Sequence, residues 1–265
     1  MWVDTPQMNL IGLLVAQLLT ENVCDISCTS FFMASTQPFR GQTREGDEAA
    51  VNKEVQDLLF TLPKEKGWTA QYIYNYQGVW NEAIQTQNRV SIQKHFKACD
   101  TDLILISFPK SGTTWLKALM FSIVNRKRYT LADNPLLTVN PHVVVPFIEL
   151  LLSTNNNQIP NDTSFPLPRL FSTHSPFLSL PESIKASKCR IVYICRNPLD
   201  NFISLWHYVV KCRPEHLGPL TIEDALDMFC RGISNWGPFW DHVLGYWKAS
   251  LENPQKVLFL KYEDM

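Results

Sequence analysis

The chain has no excess of either charge. Among 265 residues, 24 are Lys or Arg and 25 are Asp or Glu, and no block of like charge occurs. Nucleic acids and anionic membrane surfaces attract partners through a field of one sign, so both are disfavoured as partners. A bilayer span takes about 20 apolar residues. The N-terminal candidate, NLIGLLVAQLLT from Asn9 to Thr20, is shorter. It also lacks the basic flank of a secretion signal, because Asp4 is the only charge before it. Cysteine is present but not in a metal-binding arrangement: the 7 are scattered, and Cys24 and Cys28 have no His or further Cys nearby. Reduced thiols in a cytoplasmic protein without a metal are the expectation. No internal repeat or low-complexity block appears. What remains, 45% apolar residues with 8 Trp, fits a globular enzyme with one sizeable α/β core.

One stretch organises the rest: Leu103–Leu119, LILISFPKSGTTWLKAL. Leu103 to Ile106 form the continuous apolar run of a strand buried on both faces. Pro109 blocks its extension and Gly112 lets the backbone turn. Thr113 and Thr114 then precede a helical pattern of Trp115, Leu116, Leu119, Met120 and Ile123, expected to run to about Asn125. At a strand–loop–helix junction the first helical N–H groups lack internal partners and the macrodipole adds positive charge. With Lys110 beside them, the loop suits a phosphate or sulfate. It is not a Walker A loop, since Ser107 takes the first glycine position and Lys110 precedes Gly112.

Along the chain, residues 1–50 read as an appended or flexible segment, with the folded domain expected over 51–265. Val51, Val55, Leu58, Leu59 and Leu62 recur at helical spacing until Pro63. The aromatic-rich KGWTAQYIYNYQGVWNEAIQ reads as core packing, with Trp80 a candidate wall of an apolar pocket. Residues 130–168 are rich in Pro and Asn and predict long loops, in which Phe147 is a second wall candidate. Arg169–Thr173, Cys189–Cys195 and Val257–Leu260 are further short apolar strands; Leu199–Val210, Ile222–Cys230 and Trp240–Leu251 are helical in pattern. Strands alternating with helices predict a parallel sheet, whose ligands lie beyond the strands' carboxyl ends. Lys110, His174, Arg196 and Tyr262 each come just after a different strand. Taken singly, each has an ordinary structural alternative: a solvated Lys, a hydrogen-bonded His, a surface Arg pair, a core Tyr. Ser204, two turns into the helix after Arg196, could simply bond back to its own helix.

The string PKSGTTWLKAL resembles the 5′-phosphosulfate loop of the cytosolic sulfotransferases. STHSPFLSLPESIK, CRIVYICRNPLDNFISLWHY and GPFWDHVLGYWKASLENPQKVLFLKYEDM look like three further blocks of that family, closest to its plant-type members. The resemblance implies an α/β, P-loop-like fold and 3′-phosphoadenylyl sulfate as co-substrate. It implies that Lys110, Ser111, Gly112, Thr113 and Thr114 hold the 5′-phosphosulfate and that Trp115 stacks on the adenine. Arg196 and Ser204 would grip the 3′-phosphate, Tyr262 would touch the adenine, and His174 would be the catalytic base. Small hydroxylated molecules are the implied acceptors: flavonols, hydroxyjasmonates, brassinosteroids or desulfoglucosinolates. An Arg-Lys-Gly-x-x-Gly segment that completes the family's 3′-phosphate site would lie beyond Met265, so a C-terminally truncated chain is expected. Two other readings stay open: a non-catalytic nucleotide-binding or regulatory form, and a nucleotide kinase, which the missing Walker A loop disfavours.

Overall fold

The computed structural model describes residues 51–154 and 166–265. The expected appended segment 1–50 and part of the Asn-rich stretch, 155–165, lie outside the described residues. Helix α1 (Lys53–Leu59) starts where the Asn52 side chain accepts from the Val55 N–H at 2.9 Å, a cap worth about 1 kcal/mol. A three-stranded antiparallel sheet comes next: β1 (Lys64–Lys66), β2 (Tyr72–Tyr76) and β3 (Val79–Asn81). Read as core packing alone, the aromatic block hides these strands. Their signal is Gln77-Gly78, both at positive φ (54° and 79°), the two-residue turn whose twist matches a hairpin.

After α2 (Ala83–His95) comes the parallel sheet, in the order β5 (Leu170–Thr173), β4 (Leu103–Ser107), β6 (Arg190–Cys195), β7 (Val257–Lys261). Alternation fills both of its faces. Ile104 and Ile106 of β4 join Phe171, Ile191 and Tyr193 on one side. Leu105 packs with Leu116, Met120, Leu170 and Ile194 on the other. Each such side chain contributes roughly 1.5–3 kcal/mol by leaving water, which is why these strands read as unbroken apolar runs. At the sheet's amino end a buried pair fixes the β4–β5 register: Arg169 donates from Nε and Nη2 to the two Asp102 carboxylate oxygens at 2.7 and 2.6 Å.

Helices α3 (Thr113–Val124), α6 (Glu182–Ala186), α7 (Pro198–Cys212), α8 (Ile222–Cys230) and α9 (Phe239–Glu252) lie where periodicity predicts, apart from α6, which is too short to show a period. One expectation is revised in the Pro/Asn-rich region. Two short helices, α4 (Pro141–Val144) and α5 (Ile148–Thr154), take up part of the expected loop. The Asn-Pro pairs that read as loop signals are helix starts. Asn134 and Asn140 accept from the Leu136 and His142 N–H groups, and the prolines sit at the first helical position, where no N–H is needed. No helix among the described residues is long and apolar enough to cross a membrane.

Candidate active site

The four parallel strands end at one edge, and the segments leaving those ends converge. Beyond β4, Lys110 and Gly112 both adopt the left-handed conformation (φ 68° and 94°), which turns the chain into α3 at Thr113. Thr113 and Thr114 are therefore the first helical residues rather than a lead-in to the helix. Gly112 is required twice over, since a Cβ there would lie 2.7 Å from the Tyr262 ring as well as on a left-handed backbone. Ser107 Oγ lies 2.6 Å from Thr113 Oγ1, tying the loop's two ends together. Ser111 is fully buried, and Trp115 is half-buried against the core beside α3.

Beyond β6, Arg196 donates from Nη1 to the Lys110 carbonyl at 3.4 Å and stacks over the Tyr262 ring at 4.8 Å. Its Nε is buried and finds no hydrogen-bond partner among the described residues. Tyr262 lies just past β7 and so reaches both Arg196 and Gly112. Tyr208, on α7, lies under the Lys110 ammonium at 4.6 Å. Ser204 is half-buried on the same helix.

Beyond β5, His174 is 6% exposed, its ring 4.9 Å from Phe147 and 5.8 Å from Trp236. Its Nδ1 lies 2.7 Å from the Ser107 carbonyl. A carbonyl only accepts, so Nδ1 carries the proton and Nε2 the lone pair. Burial pushes the imidazolium pKa down to about 3; the Ser107 bond opposes this, and Lys117 and His242 push the same way. His174 is neutral at pH 7. Phe147 is buried beside it. Trp80 lies farther back and reaches this place through its backbone, accepting from the Trp236 N–H (2.8 Å) and donating to the Gly237 carbonyl (3.0 Å).

Sequence reasoning missed the layer behind His174. Lys117 is fully buried, 3.3 Å from the Phe147 ring centroid and 2.9 Å from His142 Nδ1; burial drives its pKa well below that of an ordinary lysine. His142 Nε2 reaches Thr114 Oγ1 at 3.2 Å, and burial, then Lys117, lower its pKa to about 3. Glu149 accepts from Thr173 Oγ1 through Oε1, and burial raises its pKa. His242 donates from Nε2 to the His174 carbonyl at 3.0 Å, so its Nδ1 accepts from Tyr193 at 2.9 Å. By position in the sequence, His142 and His242 lie away from the strand ends. Both in fact pack around the site, because helices fold back over it. Lys117 had a legible signal: it is a charge in the apolar stripe Leu116, Met120, Phe121, spaced as one helix face.

The sequence profile described as "Sulfotransferase domain" matches residues 100–265. The chain belongs to the sulfotransferase family. Its plant-type character is shown by cytosolic sulfotransferase 15 of Arabidopsis thaliana, 46% identical over 233 residues, which cover 85% of this chain and 65% of that protein. Cytosolic sulfotransferase 12 of the same plant is 48% identical over 223 residues, 83% of this chain and 68% of its own length. The chain thus spans about two thirds of these sulfotransferases, as the two coverages show. A sulphotransferase crystal structure from Arabidopsis thaliana aligns with a TM-score of 0.70 at 46% identity, over 85% of this chain and 76% of that one. Mouse sulfotransferase SULT7A1, solved in complex with PAP, aligns at 0.54 and 28%, over 73% and 62%. The parallel sheet with flanking helices is the sulfotransferase fold.

Proposed function

We propose that this sulfotransferase-family chain, through its 51–265 domain, moves a sulfonate group from 3′-phosphoadenylyl sulfate to a hydroxyl of a small apolar acceptor in the cytoplasm. The observation that carries the reading is the meeting of Lys110, Arg196, Tyr262 and His174 around one helix N-terminus. The residues present fit the donor. Arg196 keeps a buried Nε with no partner among the described residues, suited to a dianionic 3′-phosphate, and the first-turn N–H groups of a 12-residue helix face the loop. The PAP complex of a 28%-identical sulfotransferase supports the same donor.

On this reading Lys110 and the N–H groups of Ser111, Gly112, Thr113 and Thr114 hold the 5′-phosphosulfate, the Ser111 N–H exchanging its long 3.3 Å bond to the Phe108 carbonyl for the donor. Trp115 and Tyr262 contact the adenine, and Arg196 and Ser204 hold the 3′-phosphate. Bound there, the donor supplies an activated sulfuryl group, whose transfer builds negative charge on the bridging oxygen it leaves. The Lys110 ammonium neutralises that charge and stabilises the transition state more than the ground state. His174 takes the acceptor's hydroxyl proton at Nε2, while Nδ1–H stays on the Ser107 carbonyl. Phe147 and, farther back, Trp80 belong to the apolar wall that receives the acceptor.

The test is transfer of labelled sulfonate to a panel of a flavonol, a hydroxyjasmonate, a brassinosteroid and a desulfoglucosinolate. At least one acceptor is expected to be labelled. Lys110→Ala should lower kcat by about 10²–10³ and affect donor affinity less, as expected for a group acting on developing charge. Donor binding without transfer to any acceptor would make the chain a nucleotide-binding protein. A near-wild-type kcat in Lys110→Ala would remove Lys110 from its role.

A further inference from the structure

Helix α7 carries a polar side chain that the donor reading does not use. Asn201 is fully buried. It lies three residues before Ser204 and seven before Tyr208, so the three share one helix face. That face meets the loop, because Tyr208 lies under Lys110 and both amide hydrogens of Asn201 go to the loop. Asn201 Nδ2 donates to the Pro109 carbonyl at 2.8 Å and to Ser111 Oγ at 3.0 Å.

These acceptors flank one residue. Lys110, between them, holds φ 68°, a conformation that a residue with a Cβ disfavours unless its surroundings impose it. Letting Lys110 relax would turn its side chain away from the start of α3. The amide also carries a liability, since Asn201 Oδ1 is buried with no partner among the described residues. An apolar side chain of similar size would avoid that unpaired oxygen. The amide's two N–H groups are therefore the reason it suits this position.

We infer that Asn201 is a positioning residue of the donor loop: it brackets Lys110 and holds the left-handed turn that aims the ammonium at the phosphosulfate. This rests on the donor reading of the site. It also makes α7, with the turn that leads into it, the element that joins the two ends of the donor, with Arg196 and Ser204 serving one end and Asn201 the other.

The variants are Asn201→Leu, similar in size but without donors, and Asn201→Ser, a milder change should the first fold poorly. In either, kcat is expected to fall about tenfold and affinity for 3′-phosphoadenosine 5′-phosphate several-fold. The melting temperature should fall modestly, because the Pro109 carbonyl and Ser111 Oγ lose their donor, a loss that removing the unpaired Oδ1 offsets only in part. Without any nucleotide, the Ser111–Thr114 amides should exchange hydrogen about tenfold faster. In a Lys110→Ala background, Asn201→Leu should change kcat by less than about twofold, since the group it positions is gone. An equal fall in kcat in both backgrounds, with a large drop in melting temperature, would show Asn201 to be structural only. Unchanged exchange and unchanged nucleotide affinity would overturn the inference and leave the donor reading intact. No binding of 3′-phosphoadenosine 5′-phosphate by the parent protein would overturn the donor reading, and this inference with it.

Discussion

Replacing His174 with Asn is expected to lower kcat by about 10²–10⁴, the usual worth of a positioned base, while affinity for 3′-phosphoadenosine 5′-phosphate stays within about threefold. The geometry sets both halves of this expectation. The Nδ1–H to Ser107 bond fixes the tautomer and leaves Nε2 as the basic atom. An Asn amide can supply a donor for the Ser107 carbonyl but has no basic nitrogen. Lys110 packs on Tyr208 and Arg196 on Tyr262, so the nucleotide should still bind. Because burial holds the His174 pKa at about 3, the residue stays neutral across the physiological range, and the kcat profile should show no acid limb near 6.5. Two measurements decide the assignment: turnover by sulfonate transfer and nucleotide affinity by calorimetry. Retained turnover, or loss of both together, would make His174 a structural residue.

The protein is expected to lose its fold steeply on mild acidification. In the unfolded chain His142, His174 and His242 would each take a proton near pH 6.5. In the folded chain their values are pushed down to about 3, about 3 and about 4, in each case chiefly by burial. Positive neighbours add to this: Lys117 acts on His142 and His174, and Arg89 on His242. Between these limits the unfolded state binds more protons, so stability rises with pH. The contribution is fully present above pH 6.5 and is lost as pH falls toward the folded values. Each group removes up to roughly 1.4 kcal/mol per pH unit, offset in part by Glu149, whose raised pKa acts with the opposite sign. Total stabilities of about 5–15 kcal/mol cannot absorb that for long. The urea midpoint should fall sharply from pH 7 to pH 5, and ellipticity at neutral-pH levels should be gone by about pH 4. A chain still folded at pH 3.5 would show that the three rings take up protons in place, contradicting a dry cluster.

The strands and their ends were legible in the sequence because both faces of this sheet are buried. LILIS and RIVYIC read as strands without any period to detect, and the residues after them had to share an edge once the strands ran parallel. The antiparallel sheet was hidden because YIYNY also reads as ordinary aromatic packing, and only Gln77-Gly78 gives away the turn. Asn134-Pro135 and Asn140-Pro141 carried a signal with two meanings, since the same pair opens a loop or caps a helix. Glu149, His142 and His242 could not have been assigned from local pattern. They reach His174 only through tertiary folding of α4, α5 and α9. Asn201 is similar: it reads as a polar residue inside a helix, and its role emerges only when α7 lies against the loop.

The most direct test of the account is calorimetric titration with 3′-phosphoadenosine 5′-phosphate and, separately, with adenosine 5′-phosphate, in the unaltered protein and in Arg196→Ala. An Arg fork on a phosphate is worth roughly 1.5–3 kcal/mol, or about one to two decades of affinity. The unaltered protein should bind the 3′-phosphorylated nucleotide at least about tenfold more tightly, and Arg196→Ala should lose most of that margin without weakening adenosine 5′-phosphate. Equal affinity for the two nucleotides in the unaltered protein, or tighter binding of ATP with Mg²⁺ than of either, would contradict it.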